Sequence, residues 1–263
     1  MTKIIIHKDR AVIEVKGAER RSFLQGLVTN DVNKVDDGLI YCAMLNPQGR
    51  FLYDFFVFEE GDRLFIDCLA KRREEILKKL AFYKLRAKVE ISPKNMICAQ
   101  VFEQCEGLCF ADPRNNHLGF RVYFDEKPVL FEEENYDKYS FLRISHKIAE
   151  GEWDLVYEKS FILEFGFDDL QAIDYQKGCY IGQELTARTH YRGQIRKMLV
   201  HIILNEEQKL QKGQKFSCEG KNLGIVLSSV FYEGKFHILA LVRLDDVDGE
   251  VEFELNNIEF EQI

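Results

Sequence analysis

Segment 71–85 is the clearest helix in the sequence, and it stands between short runs whose apolar residues recur at strand spacing. Within it Ile76, Leu80 and Tyr83 or Lys84 share one side, while Glu74 with Lys78 and Glu75 with Lys79 make favourable i,i+4 pairs. Its apolar stripe therefore reads as core. Before and after it, segments 11–15, 51–58, 63–68, 89–91, 97–102 and 118–124 read as strands. Glu59-Glu60-Gly61-Asp62 has the turn chemistry to fold two of them into a hairpin. A short helix follows Gly17-Ala18, with Phe23, Leu24, Leu27 and Val28 on one face, and Asn30-Asp31 ends it. Segment 140–149 reads as one more helix beside the sheet. The order defines an α+β chain and not a regular βαβ repeat.

From Met198 the pattern becomes short strands with turns at Lys212-Gly213, Glu219-Gly220 and Glu233-Gly234, which predicts a separate small β-barrel. Its last strand, Val251-Glu252-Phe253-Glu254-Leu255, alternates strictly, so Val251, Phe253 and Leu255 are expected to face inward. We therefore expect two regions, 1–194 and 195–263. No run of about 18 apolar residues is present, which excludes a conventional membrane helix. The start turns charged after Ile4-Ile5-Ile6, unlike a signal peptide. Seven cysteines without a regular framework fit a reducing compartment. A cytoplasmic home is expected, or the mitochondrial matrix if a presequence has been removed. A net charge of −8 disfavours nucleic acid as a direct partner. The basic run from Arg188 to Lys197 is better suited to a carboxylate-bearing ligand or a partner protein.

The chemistry concentrates in Lys177-Gly178-Cys179-Tyr180-Ile181-Gly182-Gln183-Glu184. Two glycines frame one cysteine, and Gly178 and Gly182 are expected to supply backbone angles closed to other residues. Lys177 and the cations that follow, Arg188 among them, would favour the thiolate of an accessible Cys179. The other cysteines, Cys42, Cys68, Cys98, Cys105, Cys109 and Cys218, read as small buried hydrophobes. Cys105-x-x-x-Cys109 has neither the spacing nor the second pair of a zinc site. No metal site is expected beyond a transient bond to Cys179. The phosphate-loop, dinucleotide and His-Glu-x-x-His signatures are missing from the sequence.

At these residues the chain resembles the YgfZ family, folate-binding relatives of the aminomethyltransferase, or T-protein, of the glycine cleavage system. The signature Lys-Gly-Cys-Tyr/Phe-x-Gly-Gln-Glu is matched at every fixed position, and the continuation Thr186-Ala187-Arg188-Thr189-His190-Tyr191-Arg192-Gly193 looks like the branch holding the mitochondrial iron–sulfur assembly members. Segment 23–32, Asn46-Pro47-Gln48-Gly49-Arg50 with its strand, and segment 223–229 are similar to further family landmarks in the same order. The resemblance implies an aminomethyltransferase-like folate-binding module with antiparallel sheets and a C-terminal barrel, closing around a central opening with Cys179 at its rim. It implies tetrahydrofolate as cofactor, Cys179 as the functional residue, and Lys177, Gly178, Tyr180, Gly182, Gln183, Glu184 and Arg188 as the motif around it. Glu164 falls where T-protein relatives set a carboxylate against the pterin, whose donor edge a carboxylate matches. Tyr139 falls where some relatives stack an aromatic on folate, and Asn30 and Asp31 are assigned to the same cofactor.

The function implied is tetrahydrofolate binding in the assembly or repair of iron–sulfur proteins, with a link to tRNA modification, through assembly or client proteins as partners of a monomer. The alternative is a folate-dependent one-carbon transferase or demethylase. Aminomethyltransferases place a catalytic aspartate after a strand, where this chain has Asp67-Cys68-Leu69-Ala70-Lys71-Arg72-Arg73. Basic residues there do not supply the base such chemistry needs, unless Asp67 is realigned into the role.

Overall fold

Strand β4 (Phe51–Glu60) is buried on both faces, because its alternate side chains enter two different cores. Phe56 and Phe58 point to one, Phe55 and Val57 to the other. It is central to an antiparallel sheet in the order β3 (Ile40–Leu45), β4, β5 (Arg63–Leu69), β2 (Arg10–Lys16), β6 (Glu90–Lys94). The expected β4–β5 hairpin forms, with Glu60 opposite Arg63 across Gly61, whose φ is +63°. On one face lie helix α1 (Arg20–Gln25), carrying buried Leu24, and helix α2 (Arg73–Lys84), burying Ile76 and Leu80 as their spacing requires. The expected partner of Glu75 is replaced: its carboxylate accepts from Tyr53 Oη at 2.6 Å and Tyr157 Oη at 2.8 Å.

This is a computed structural model, and it describes residues 2–126, 131–205, 210–218, 221–243 and 258–260. A second sheet runs β10 (Phe131–Glu133), β1 (Thr2–Ile6), β7 (Ile97–Val101), β9 (Phe120–Phe124), β8 (Leu108–Ala111), with β1 and β10 parallel and the rest antiparallel. Helix α3 (Tyr136–Ser145) starts before the expected position, because Asn135 caps it by accepting from the Asp137 N–H at 3.0 Å. A short helix α4 (Gly151–Asp154) follows. Among the described residues no helix is long and apolar enough to cross a membrane.

The C-terminal region forms a third antiparallel sheet, β11 (Lys197–Leu204), β14 (Lys235–Arg243), β13 (Lys221–Tyr232), β12 (Lys215–Cys218), β15 (Ile258–Phe260). Among the described residues it is an open sheet and not the closed barrel expected. Its alternate residues explain the arrangement: Leu199, Leu227, Leu239 and Leu241 join the main core, while Val200, Val226 and Ile238 build a separate one. The expected strand 251–255 and the turn at Glu219-Gly220 lie outside the described residues.

Between the first two sheets the interior is charged. Arg10 Nε and Arg121 Nε lie 2.7 and 2.8 Å from the two oxygens of Asp67, and Arg10 Nη1 is 3.3 Å from Asp54. Arg114 pairs with Asp112 at 2.8 Å and Glu150 at 2.9 Å, and Arg143 with Asp154 at 2.6 Å. All of these groups are buried. Burial pushes the Asp54 carboxyl up, towards its neutral form. Each of the four buried guanidiniums has a carboxylate partner, as buried charge requires.

Candidate functional site around the Cys179 loop

Three motifs separate in sequence meet at one loop. The chain after α1 offers main-chain carbonyls at Gln25, Val28 and Asn30, and the Lys177 ammonium donates to all three at 2.7, 2.6 and 2.7 Å. The same segment holds the loop's backbone: Ile181 N–H donates to Gly26 O at 3.2 Å and Asp174 N–H to Thr29 O at 3.0 Å. Asp174 in turn accepts from the Gln176 and Lys177 N–H groups at 2.7 and 3.0 Å. Lys177 is therefore a structural clamp. Its three donors go to these carbonyls and none to the Cys179 thiol.

The third motif is the turn Asn46–Gly49. Asn46 Oδ1 accepts from the Gln48 and Arg50 N–H groups at 3.0 and 2.8 Å, which folds the turn on itself. Gly182 adopts φ +82° against it, and a Cβ there would lie 2.4 Å from the Asn46 carbonyl oxygen. A Cβ on Gly49 would in turn meet Leu185 at 2.9 Å. Gly182 is thus needed for both angle and space. Gly178 is not: its φ is not left-handed and a Cβ would meet open space. Of the two glycines expected to shape the loop, only Gly182 does so through its backbone.

Between these anchors Cys179 is exposed, and its sulfur takes part in no hydrogen bond among the described residues. Helix α5 (Gln183–Arg192) starts immediately after, with Gly182 as its N-cap and Gln183 Oε1 accepting from the Tyr180 N–H at 3.2 Å. Glu184 in the first turn suits the positive helix end. Tyr180 packs towards the main core, with the Lys177 ammonium 5.2 Å from its ring centre. Arg188, Arg192 and Arg196 are exposed and carry no ion pair among the described residues. Near the helix end His190 stacks on Tyr175 at 3.8 Å and lies 3.2 Å from Asp168.

Glu164 sits in the 3-10 turn Ile162–Phe165, against which α5 and β11 pack. Its Oε2 accepts from Lys197 Nζ at 3.1 Å. It lines a cleft of about 460 Å³ with Phe165, Lys159, Ile225 and Leu241. Lys212 and Leu227 belong both to this cleft and to a larger one of about 700 Å³, walled by Trp153, Leu69, Lys8 and Lys71. The two make one trough along the inner face of the third sheet. Cys179 lines neither of these two clefts, and its side chain is exposed.

Three residues assigned to the cofactor have other tasks. Asn30 Nδ2 donates to Tyr41 O at 2.9 Å and Gln171 O at 2.8 Å, and its Oδ1 accepts from the Asp31 N–H. Asp31 Oδ1 accepts from Gln25 Nε2 at 2.9 Å and from Asn33. Both fix the segment that receives Lys177. Tyr139 is buried, its hydroxyl donating to Glu150 and accepting from Arg114 Nη2 at 2.9 Å, with its ring against His7 and Tyr136. No open face of that ring is left for stacking. Trp153, half exposed on the trough wall, is an aromatic that the sequence reading did not place there. As the chain's single tryptophan it was the available signal. Asp67 is no base, because Arg10 and Arg121 outweigh the cost of burial and hold its carboxyl below the ordinary range. Lys71 and Arg72 pair with Glu152.

Fold and site together define a chain built like an aminomethyltransferase that presents a clamped, exposed cysteine. The solved aminomethyltransferase T of the glycine cleavage system from Bartonella henselae superposes with a TM-score of 0.72 over 93% of this chain and 79% of that one, at 12% identity, a likeness of fold. No protein-family model matches the chain. The mouse iron-sulfur cluster assembly factor IBA57, mitochondrial, is 31% identical over 91% of this chain and 77% of its own length. The homologue of that factor in Pyricularia oryzae is 32% identical over 81% of this chain, and that in Mycosarcoma maydis 31% over 73%. This chain belongs to the IBA57 family of iron-sulfur cluster assembly factors. It spans 60% of the length of the Pyricularia relative and 55% of the Mycosarcoma one.

Proposed function

We propose that this chain is a tetrahydrofolate-binding factor for the assembly or repair of iron–sulfur proteins, in which Cys179 is a ligand shared with a partner. The observation that carries the reading is an exposed thiol on a loop fixed at one side by Lys177 and at the other by Gly182. Soft thiolates bind iron, and one thiol leaves a cluster's ligand set incomplete. A jointly held cluster follows: the Cys179 proton leaves as its sulfur bonds iron, and partner thiolates fill the remaining positions. Exposed Arg188, Arg192 and Arg196 along and beyond α5 suit an acidic partner surface. The relatives, mitochondrial iron-sulfur cluster assembly factors, support this role and a mitochondrial setting, with the cytoplasm as the bacterial-type counterpart. The YgfZ resemblance adds the folate and the link to tRNA modification. We take 1–194 as the folate-binding region and 195–263 as the second region of a monomer.

The trough fits a folate by the chemistry of its walls. Glu164 Oε1 has no partner among the described residues, and a carboxylate accepts from the amino edge of a pterin. Leu227 and the Trp153 ring offer apolar and stacking surface, while Lys8 and Lys71 suit the glutamate carboxylates. Bound tetrahydrofolate would supply a reduced pterin able to carry one carbon. The turn after β5 offers no free carboxylate for aminomethyl transfer, so the binding role is preferred over the transferase.

The test is anaerobic mixing with a scaffold protein carrying a [2Fe–2S] cluster, followed by size exclusion and visible circular dichroism. Wild type should co-elute with a changed cluster spectrum, and Cys179→Ser should lose both while keeping its fold. An unchanged Cys179→Ser complex overturns the thiol's role. Separately, tetrahydrofolate should quench Trp153 saturably, and Glu164→Gln should weaken that binding roughly tenfold or more. A flat titration removes the folate from the reading.

A further inference from the structure

Away from the Cys179 surface, the connection between β7 and β8 brings two more thiols together. Gly107, at φ +91°, turns the chain, and the Cys109 N–H donates to Gly107 O at 2.9 Å. The turn sets the Cys105 N–H 3.3 Å from Cys109 Sγ, to which it donates. Both side chains are half-buried and rest on the same small cluster of Ile4, Ala99, Val101 and Val122. That corrects the expectation that they are core residues. Cys42, Cys68 and Cys98 do fit it: they are buried, and burial pushes the first two up to about 12 and Cys98 further. β8 is an edge strand, so the pair sits at the rim of its sheet.

We propose that Cys105 and Cys109 are a redox-active dithiol that a small-molecule disulfide, such as oxidised glutathione, converts to an intrachain disulfide. The Cys105 N–H points at the Cys109 sulfur, and Cys109 is assigned the first attack. It loses its proton and bonds one sulfur of the oxidant, expelling one glutathione thiolate. Cys105 then gives up its proton and displaces the second glutathione thiolate from Cys109. Two protein thiols lose two electrons in total, the external disulfide gains them, and the two protons pass through solvent to the departing thiolates. Burial and the neighbouring Cys109 push the Cys105 thiol up to about 11, which suits a group that ionises second. With the Cys105 backbone already against the Cys109 sulfur, the closing step is intramolecular. Cys179 has no such neighbour among the described residues and stops at a mixed disulfide.

The experiment is equilibration of the reduced full chain with glutathione redox buffers, quenching with iodoacetamide, and peptide mapping by mass spectrometry. The peptide spanning 105–109 should lose both alkylation sites together and weigh two hydrogens less, while Cys179 gains only glutathione. Cys105→Ser should trap a glutathione adduct on Cys109, and Cys109→Ser should leave Cys105 open to alkylation. The folded chain should need roughly tenfold less oxidant than the same chain in urea. Stable adducts on both cysteines without a crosslink, unchanged alkylation of both, or equal oxidation in urea would each overturn the proposal.

Discussion

The Lys177 ammonium nitrogen lies 2.7 Å from the Asn30 carbonyl oxygen, 147 positions earlier in the chain, and it donates equally closely to the Gln25 and Val28 carbonyls. A tetrahedral ammonium can serve three acceptors at once, which a planar guanidinium cannot do in the same volume. Lys177→Met leaves three part-buried carbonyls without a donor and should lower stability by about 2 kcal/mol. Lys177→Arg should recover little of it. Urea unfolding monitored by circular dichroism, with limited proteolysis across 174–181, checks both. An unchanged midpoint would mean that the clamp contributes nothing to the fold.

The two glycines of the loop separate by the same logic. Gly182→Ala forces a side chain into φ +82° and within 2.4 Å of the Asn46 oxygen, so the Asn46–Gly49 turn or the start of α5 has to move. We expect a loss of about 2–4 kcal/mol. Gly178→Ala, facing open space, should stay within about 0.5 kcal/mol of wild type. Thermal melts of the two variants side by side test the contrast, and equal stabilities would refute it.

What was legible in the residues follows from the range of the interaction. Helix α2 was readable because Ile76 and Leu80 are one turn apart and both are buried. The β4–β5 hairpin was readable from Gly61. Each motif around Cys179 could be seen, but not that Lys177 reaches segment 25–30 or that Gly182 packs on Asn46, since nothing local marks contacts across such separations. Helix α5 was hidden because Thr186 is its one buried residue and Leu185 its one aliphatic side chain against the core, too few to make an apolar stripe. The charged interior was hidden for the opposite reason. Arg10, Asp67 and Arg121 are residue types that composition assigns to the surface, and only their long-range pairing allows them inside.

That pairing makes Asp67 the most exacting position in the interior. Its two oxygens accept from Arg10 Nε and Arg121 Nε, and Tyr123 Oη also donates to it at 3.0 Å. Asp67→Asn keeps the shape but leaves two buried guanidiniums short of a counter-charge. A loss of about 3–5 kcal/mol is expected, measured by urea unfolding. A loss below about 1 kcal/mol would show that water or a side-chain shift relieves the arginines.

His7 gives the interior a dependence on pH whose sign can be worked out. Burial and the Arg121 charge pull its imidazole from 6.5 down to about 3, against the opposing pull of Glu150 and Asp67. In the unfolded chain it takes up a proton near 6.5; in the folded chain it stays neutral until about pH 3. Across that window the unfolded state holds the extra proton. Stability from this residue is therefore complete above 6.5, falls as pH drops towards 3, and levels off below. The slope is at most ~1.4 kcal/mol per pH unit. His201, lowered to about 4 by burial and by His237, adds a drift of the same sign that a change at position 7 leaves in place. His7→Gln removes only the buried imidazole, which sits 3.4 Å from Gln100. Between pH 6.5 and pH 5 wild type should lose ~2 kcal/mol more than this variant in urea unfolding. Equal losses would mean that His7 is charged inside the folded chain.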